Sequence, residues 1–104
     1  MKGFGNLLKE AQKLQAQLEA MREEVAKRKV EASAGGGMVV VEANGNQEIV
    51  SIKIDREVIN PEDPQMLEDL VLAASNEALR KAKELVQAEM GKLAGGLKIP
   101  GLNA

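Results

Sequence analysis

The sequence predicts an α+β fold, an α-β-β-β-α subunit with an antiparallel three-stranded sheet flanked by two long helices. Between Gly35 and Asp55, apolar residues alternate with other residues on both sides of Asn44-Gly45, which is the pattern of a β-hairpin. Apolar residues recur at helical spacing before and after this hairpin. A chain of 104 residues, 44% of them hydrophobic, is expected to fold as one domain.

The first helix is predicted from a narrow apolar seam, whose residues are spaced alternately by four and three positions. These are Leu7, Ala11, Leu14, Leu18, Met21 and Val25. A 3.5-residue repeat is typical of a coiled coil or a long amphipathic helix, and so narrow a seam leaves most of the helix in water. Asn6 is the expected N-cap, and Gly3 and Gly5 before it predict a flexible start.

Three strands are predicted to follow. Val30, Ala32 and Ala34 alternate with polar residues in the first strand. Gly35-Gly36-Gly37 then indicates a hairpin turn; a nucleotide-binding glycine loop would need a following Lys-Ser or Lys-Thr and a helix. The hairpin places six side chains on one face, which the two helices are expected to cover; they are Val39, Val41, Ala43, Val50, Ile52 and Ile54. The opposite face carries Met38, Val40 and Ile49, as exposed aliphatic residues or as a dimer contact.

A second long helix is predicted from Gln65 to about Gly91. Asn60-Pro61 and Asp63-Pro64 both match an N-cap followed by proline at the first helical position. The acidic residues here lack the order of a calcium loop, so capping is favoured over a metal site. The apolar stripe of this helix consists of Leu67, Leu70, Val71, Ala74, Ala78, Ala82, Leu85 and Val86. Residues 93–104 are expected to form a mobile tail.

Composition argues against several classes of function. Without Cys or His, the chain has no disulfide, no thiolate metal site and no nucleophile–base pair of the usual kind, so we do not expect an enzyme. Phe4 is the one aromatic residue and offers no platform for stacking bases. A core without aromatic residues is thin, which favours self-association. The N-terminus does not match a secretory signal, so an intracellular soluble protein is expected.

Charge is unevenly distributed along the chain. The net charge is −2, but residues 1–30 hold seven basic and four acidic groups, whereas residues 31–104 hold seven and twelve. Lys9 and Lys13 lie one helical turn apart near the N-terminus, where they can neutralise duplex phosphates. On charge alone the alternative is favoured, namely a solvated helix laced with salt bridges in which these lysines serve solubility.

Five segments in order along nearly the whole chain resemble the YbaB/EbfC family of bacterial nucleoid-associated proteins. They are residues 5–12, Met21-x-Glu23-Glu24, the glycine-rich hairpin entry with Asn44-Gly45, Ile52-Lys53-Ile54-Asp55, and residues 66–78. The resemblance implies a homodimer whose first helices project as the arms of a tweezer around double-stranded DNA. It also implies DNA binding of low sequence specificity in the cytoplasm and nucleoid, with nucleoid organisation or gene regulation as its role. No cofactor, membrane or small-molecule substrate is implied.

The resemblance places the arm at Leu7 to Val25 and its phosphate contacts among the basic residues of the two helices. The candidates are Lys9, Lys13, Arg22 and Lys27 on the first helix and Arg80, Lys81 and Lys83 on the second. Glu19, Glu23 and Glu24 interrupt the basic character of the arm. The alternative function is a protein-interaction module that docks a partner helix on the seam, in which Leu14 and Leu18 matter more than the lysines.

Overall fold

A computed structural model of the protein describes residues 2–95. Helix α1 spans Lys2–Lys27 and is followed by strands β1 (Lys29–Ala34), β2 (Val39–Asn44) and β3 (Ile49–Ile54). A short 3-10 helix at Arg56–Val58 leads to helix α2 (Pro64–Gly95). The predicted α-β-β-β-α order is therefore confirmed. Neither helix is long and apolar enough to span a membrane, as far as residues 2–95 are concerned.

The core lies between α2 and the first two strands of the sheet. The strands are antiparallel in the order β1-β2-β3, so β2 is central. Val39 and Val41 of β2 are completely buried, and α2 covers them with alanines at one-turn spacing. These are Ala74, Ala78 and Ala82, each with no exposed surface. Small side chains on this face let the axis of α2 approach the sheet closely, and all three alanines belong to the predicted apolar stripe.

Asp63-Pro64 begins α2 as predicted, because the Asp63 carboxylate accepts a hydrogen bond from the Met66 amide at 3.3 Å. The same prediction is wrong for Asn60, whose side chain accepts from the Glu62 amide in a turn outside any helix. Asp55 caps the 3-10 helix by accepting from the Glu57 amide. Helix α2 includes residues 93–95, which were predicted as tail; residues 96–104 lie outside the described part of the chain.

Helix α1 begins earlier than the sequence predicted. It already includes Lys2, so Asn6 lies within the helix and the prediction that it caps the N-terminus is wrong. Gly3 and Gly5 are likewise helical rather than a flexible lead. The favourable residues that follow extend the helix through them, although each glycine costs up to about 1 kcal/mol relative to alanine in a helix interior.

The two turns of the sheet differ in which residues adopt the left-handed conformation. Gly35, Gly36 and Gly37 have φ of 64°, 67° and 95°, which confirms the predicted glycine hairpin turn. The predicted hairpin at Asn44-Gly45 is confirmed, but it has a loop of four residues instead of a tight two-residue turn, and its left-handed residue is Gln47, with φ of 59°. The Asn44 side chain accepts from the amides of residues 46 and 48 and so holds this loop.

Strand β3 is exposed in the single chain, whereas the sequence placed its aliphatic residues on a covered face with those of β2. Ile52 pairs opposite Val41 and Ile54 opposite Val39, so the predicted sharing of a face is correct. The predicted cover is wrong within one chain, since α2 lies over β1 and β2 and leaves Ile52 44% exposed. An irregularity at Ala43 pairs it with Ile49, and Val50 is displaced from the predicted register.

Candidate nucleic-acid interface

Helix α1 is buried at its C-terminal end and free at its N-terminal end. Val25 is 3% exposed, Leu14, Leu18 and Met21 are half-buried, and α1 contacts both α2 and β2. By contrast, every residue from Gly3 to Lys13, a segment we call the tip, is exposed. Within the described residues the tip therefore projects from the body, and the molecule measures 73 × 27 × 16 Å.

The direction of α2 accounts for this projection. Leu70 lies against Gly35 at one end of β1, and Lys81 reaches the carbonyl oxygen of Glu31 near its other end. Glu89 then pairs with Arg28, where α1 joins β1. At 1.5 Å per residue, only about 9 Å of α2 remains beyond Glu89, whereas α1 extends about 38 Å from this junction. Most of the N-terminal half of α1 consequently has no part of α2 beside it.

Lys9 and Lys13 form the cationic centre of the tip. Both are exposed, and at 100° per residue they lie on one side of α1, opposite Leu14 and Leu18 of the seam. Their Cα atoms are separated by about 6 Å along the helix axis. Neither lysine forms an ion pair with any residue in the described range 3–95. Both charges are therefore available to an anionic partner.

The other two candidates on α1 lie closer to the body. Arg22 and Lys27 are exposed, and the described residues offer neither of them an ion pair. Arg22 is flanked by Glu23 and Glu24, which weakens the local positive potential. Lys27 is the last residue of α1, where the negative end of the helix dipole attracts a cation. These two residues are thus less favourably placed for phosphate than the tip lysines.

Two of the three candidates on α2 already have partners in the chain. Arg80 is held by Glu77 and Glu84 of its own helix, and this raises the pKa of Arg80 while the guanidinium lowers the pKa of Glu77. The Lys81 ammonium donates to the Glu31 carbonyl oxygen at 2.8 Å, joining α2 to β1. Lys83 is exposed and forms no ion pair within residues 3–95.

Two contacts that the sequence did not reveal fix the base of the arm. Arg28 Nη1 lies 2.8 Å from Glu89 Oε1, which Lys92 also approaches at 3.1 Å, and the two cations lower the pKa of Glu89. Gly45 lies so close to Val25 that a Cβ atom there would overlap the carbonyl group of Val25. No sequence signal could have found the ion pair, because its members are 61 residues apart and each belongs to an ordinary solvated pattern.

Acidic residues limit the positive region of α1 to its ends. Glu10 is the one acidic residue of the tip, whereas Glu19, Glu23 and Glu24 are exposed in the second half of the helix. Across residues 2–95, no three acidic side chains come together in a group that could hold a metal ion. The arrangement therefore favours an anion at the tip of α1 and repels it along the middle of the helix.

Comparison with known proteins identifies the family of the chain. A model of the YbaB/EbfC DNA-binding family matches residues 1–97. The chain belongs to this family. A nucleoid-associated protein of Syntrophobacter fumaroxidans is 54% identical over 101 residues, which cover 97% of this chain and 91% of the relative. A nucleoid-associated protein of Thermodesulfovibrio yellowstonii is 57% identical, with 97% and 89% covered.

A crystal structure supports the fold of this YbaB/EbfC chain. The structure of an uncharacterized protein from Helicobacter pylori aligns with a TM-score of 0.69 at 27% sequence identity. The alignment covers 91% of this chain and 97% of the Helicobacter protein. The α-β-β-β-α architecture thus recurs in a chain whose sequence has largely diverged.

Proposed function

We propose that this chain is the subunit of a homodimer that binds duplex DNA with low sequence specificity, holding it between two projecting α1 helices. The observation that carries the proposal is a pair of lysines, Lys9 and Lys13, which form no ion pair within residues 3–95 and lie on the projecting tip of α1. Because the chain belongs to a DNA-binding family, we take DNA to be the anion that these lysines bind. Lysine contacts to phosphate position a protein on the duplex without reading its sequence, which supports low specificity.

Two arms are needed because one arm offers little charge. The chain as a whole carries −2, so the body repels DNA and binding depends on the tips. Two copies double the tip lysines and place them on two sides of a duplex. If about four to six phosphates are neutralised, log affinity falls with log salt with a slope of about 0.9 per contact.

Strand β3 is the surface that we assign to the dimer. It is an outer strand of the sheet, and it exposes aliphatic side chains that α2 does not cover. An exposed, apolar edge strand is a template for pairing with another strand. Joining two subunits through β3 would bury Ile52 and Ile54 and complete the thin core of each. Of the three residues predicted on the opposite face, Met38 packs against the core, Ile49 pairs with Ala43 and is exposed, and Val40 is half-buried.

The alternative of a partner helix docked along the seam is weakened by the packing of α1. Leu14, Leu18 and Met21 are already half-buried in the single chain, and Val25 is buried at the base of the arm. A partner helix would have to displace the packing that already covers this part of the seam. Among the described residues, the seam is fully exposed only in the tip. This segment is too short to form a stable contact with a partner helix.

A salt series with a charge-matched control tests the DNA proposal. Fluorescence anisotropy of a labelled duplex is measured between about 50 and 200 mM salt, where affinity based on phosphate contacts falls steeply. Lys9→Glu is compared with Arg56→Glu, which makes the same charge change at an exposed residue of the 3-10 helix. We expect Lys9→Glu to weaken binding much more than Arg56→Glu while the dimer mass stays unchanged. Salt-independent affinity, or equal loss in both variants, would refute the proposal.

We further propose that the protein acts on the nucleoid, in its organisation or in gene regulation, and not as an enzyme. The names of the relatives from Syntrophobacter fumaroxidans and Thermodesulfovibrio yellowstonii, both nucleoid-associated proteins, support this assignment. A fluorescently tagged chain is expected to coincide with a DNA stain in bacterial cells, and the tagged Lys9→Glu variant to lose this overlap. A diffuse wild-type signal would contradict the assignment.

A further inference from the structure

The tip of α1 has an apolar side in addition to its basic one. Phe4 is 70% exposed, Leu7 66% and Leu8 54%. Their i, i+3, i+4 spacing places them together on the side of the seam, whereas the two lysines of the tip lie on the opposite side of the helix. Contiguous exposed apolar surface marks an interaction site. Whatever covers this surface must therefore be apolar and cannot meet the lysines at the same time.

Helix α2 ends beside α1 and runs towards the tip. It extends about 38 Å from Pro64 to Glu89, which pairs with Arg28 at the base of α1, and α1 rises about 38 Å from that point. These two lengths in line account for the long axis of 73 Å, so α1 continues in the direction in which α2 ends. Gly95 lies about 9 Å beyond Glu89, and Leu93 in the last turn is half-buried. The chain therefore leaves α2 alongside α1, with about 27 Å of the arm still ahead up to its first turn.

Residues 96–104 follow from this point and have the length and the composition to cover the apolar side of the tip. At about 3.3 Å per residue, an extended segment of this length reaches about 30 Å. It contains three large aliphatic residues, Leu97, Ile99 and Leu102, and its one charged side chain is that of Lys98. Because it has no acidic side chain, it offers no partner to the lysines of the tip. Pro100 favours an extended conformation at the residue before it and disfavours a continued helix.

The spacing of these aliphatic residues matches that of the seam. Counted from the end of α2 along an extended chain, Leu97 reaches about 7 Å, Ile99 about 13 Å and Leu102 about 23 Å. Three seam residues lie about 6, 12 and 22 Å beyond the same level of α1, namely Leu18, Leu14 and Leu7. Leu97 and Ile99 share one side of an extended chain, and one polyproline turn separates Ile99 from Leu102. All three side chains can therefore face the seam together.

We propose that residues 96–104 dock as an extended strap along the apolar side of the α1 tip of the same chain. The three aliphatic residues of the strap contact the three seam leucines in the order given, and the lysines remain on the uncovered side. A separate helix gains too little from so short a surface, but a strap tethered at Gly95 binds at a high effective concentration. The proposal replaces the expectation of a mobile tail for these residues. It does not rest on DNA binding, and its tests contain no DNA, so its failure would leave the DNA proposal intact.

Cysteine cross-linking within one chain tests the contact, because the chain has no cysteine of its own. Under mild oxidation, Leu7→Cys with Leu102→Cys is compared with Lys9→Cys with Leu102→Cys, in which the first cysteine lies on the opposite side of α1. We expect the first protein to form a disulfide and to keep the mass of one chain on a denaturing gel without reductant, and the second to form little. Equal products in both, a product with the mass of two chains, or no product would each overturn the proposal.

Hydrogen exchange tests whether the strap covers the tip when no cysteine is present. Ile99→Glu with Leu102→Glu is compared with Lys98→Glu, which makes the same change in net charge. We expect the first variant to lose protection of the amides of residues 3–13, because the contact that holds these turns is gone, and Lys98→Glu to keep it. Wild-type amides that exchange as fast as those of the first variant, or an equal loss in Lys98→Glu, would refute the inference.

Discussion

Replacing Gly45 by alanine is the sharpest test of how the arm is seated. The added Cβ would overlap the backbone carbonyl group and the Cγ1 atom of Val25, so the last turns of α1 or the loop itself must move. Backbone cannot swing aside as the end of a flexible side chain can, which places the cost near the upper end, about 3 kcal/mol, of that for overpacking. At about 4–8 °C per kcal/mol for a domain of 60–100 residues, the melting temperature should fall by about 12–24 °C.

Thermal unfolding followed by circular dichroism measures this change, with Gly91→Ala as the control. Gly91 lies within α2 and has no atom near the position of a new Cβ, so the control should gain up to about 1 kcal/mol from helix propensity alone. The same Gly45→Ala protein should bind DNA more weakly at a temperature where it remains folded, because the arm is displaced. A Gly45→Ala protein as stable as Gly91→Ala would refute the close approach of loop and helix.

Three further changes probe other parts of the molecule. Ile52→Glu should reduce the mass in solution to that of a single chain without loss of helical circular dichroism, because the residue is exposed in the subunit and lies on the proposed interface; an intact dimer would exclude β3. Ala78→Leu should cost about 1–3 kcal/mol in urea unfolding, because the alanine face of α2 leaves no room on the sheet; unchanged stability would contradict the close packing. Glu89→Gln should lower the melting temperature at neutral pH, but this deficit should vanish in acid. Arg28 and Lys92 hold the pKa of Glu89 below 4.5, so the stabilisation is complete above that value and is lost as pH falls through the lowered pKa. A deficit that persists in acid would show that the charge of Glu89 is not its cause.

The elements that could be predicted are those whose pattern is local. Period-two alternation identified the strands, and the alanine-rich stripe identified the buried face of α2, because each pattern reflects contacts repeated along one element. The hairpin at Asn44-Gly45 was predicted correctly, but its turn is not a tight one. Gly45 instead lies against Val25, on a helix 20 residues earlier in the chain. Asn6 failed as a cap because helix formation continued through the glycines before it.

The sequence identifies the basic residues of the candidate site, but it does not show which of them already have partners within the chain. Lys9, Arg80 and Lys81 look alike in the sequence, since each is a basic residue on the polar side of a helix. Only the structure distinguishes Lys9, which forms no ion pair within residues 3–95, from Arg80, which pairs with Glu77 and Glu84. Lys81 bonds to the backbone of a strand 50 residues away, a contact that depends on how α2 lies on the sheet. Tertiary placement, rather than local pattern, therefore decides which charges can reach DNA.

The narrow attachment of α1 makes the arm a lever. Its fulcrum is the short region around Val25, Arg28 and Glu89, and its free end lies about 38 Å away by helix geometry. A pivot of only about 5° at the fulcrum would sweep the end through about 3 Å at that length. In the proposed dimer of two such levers, a substitution too small to disturb folding can widen or narrow the opening between them by more than a hydrogen-bond length. Variation in that opening among relatives is therefore expected to trace to residues at the pivot, far from any nucleotide.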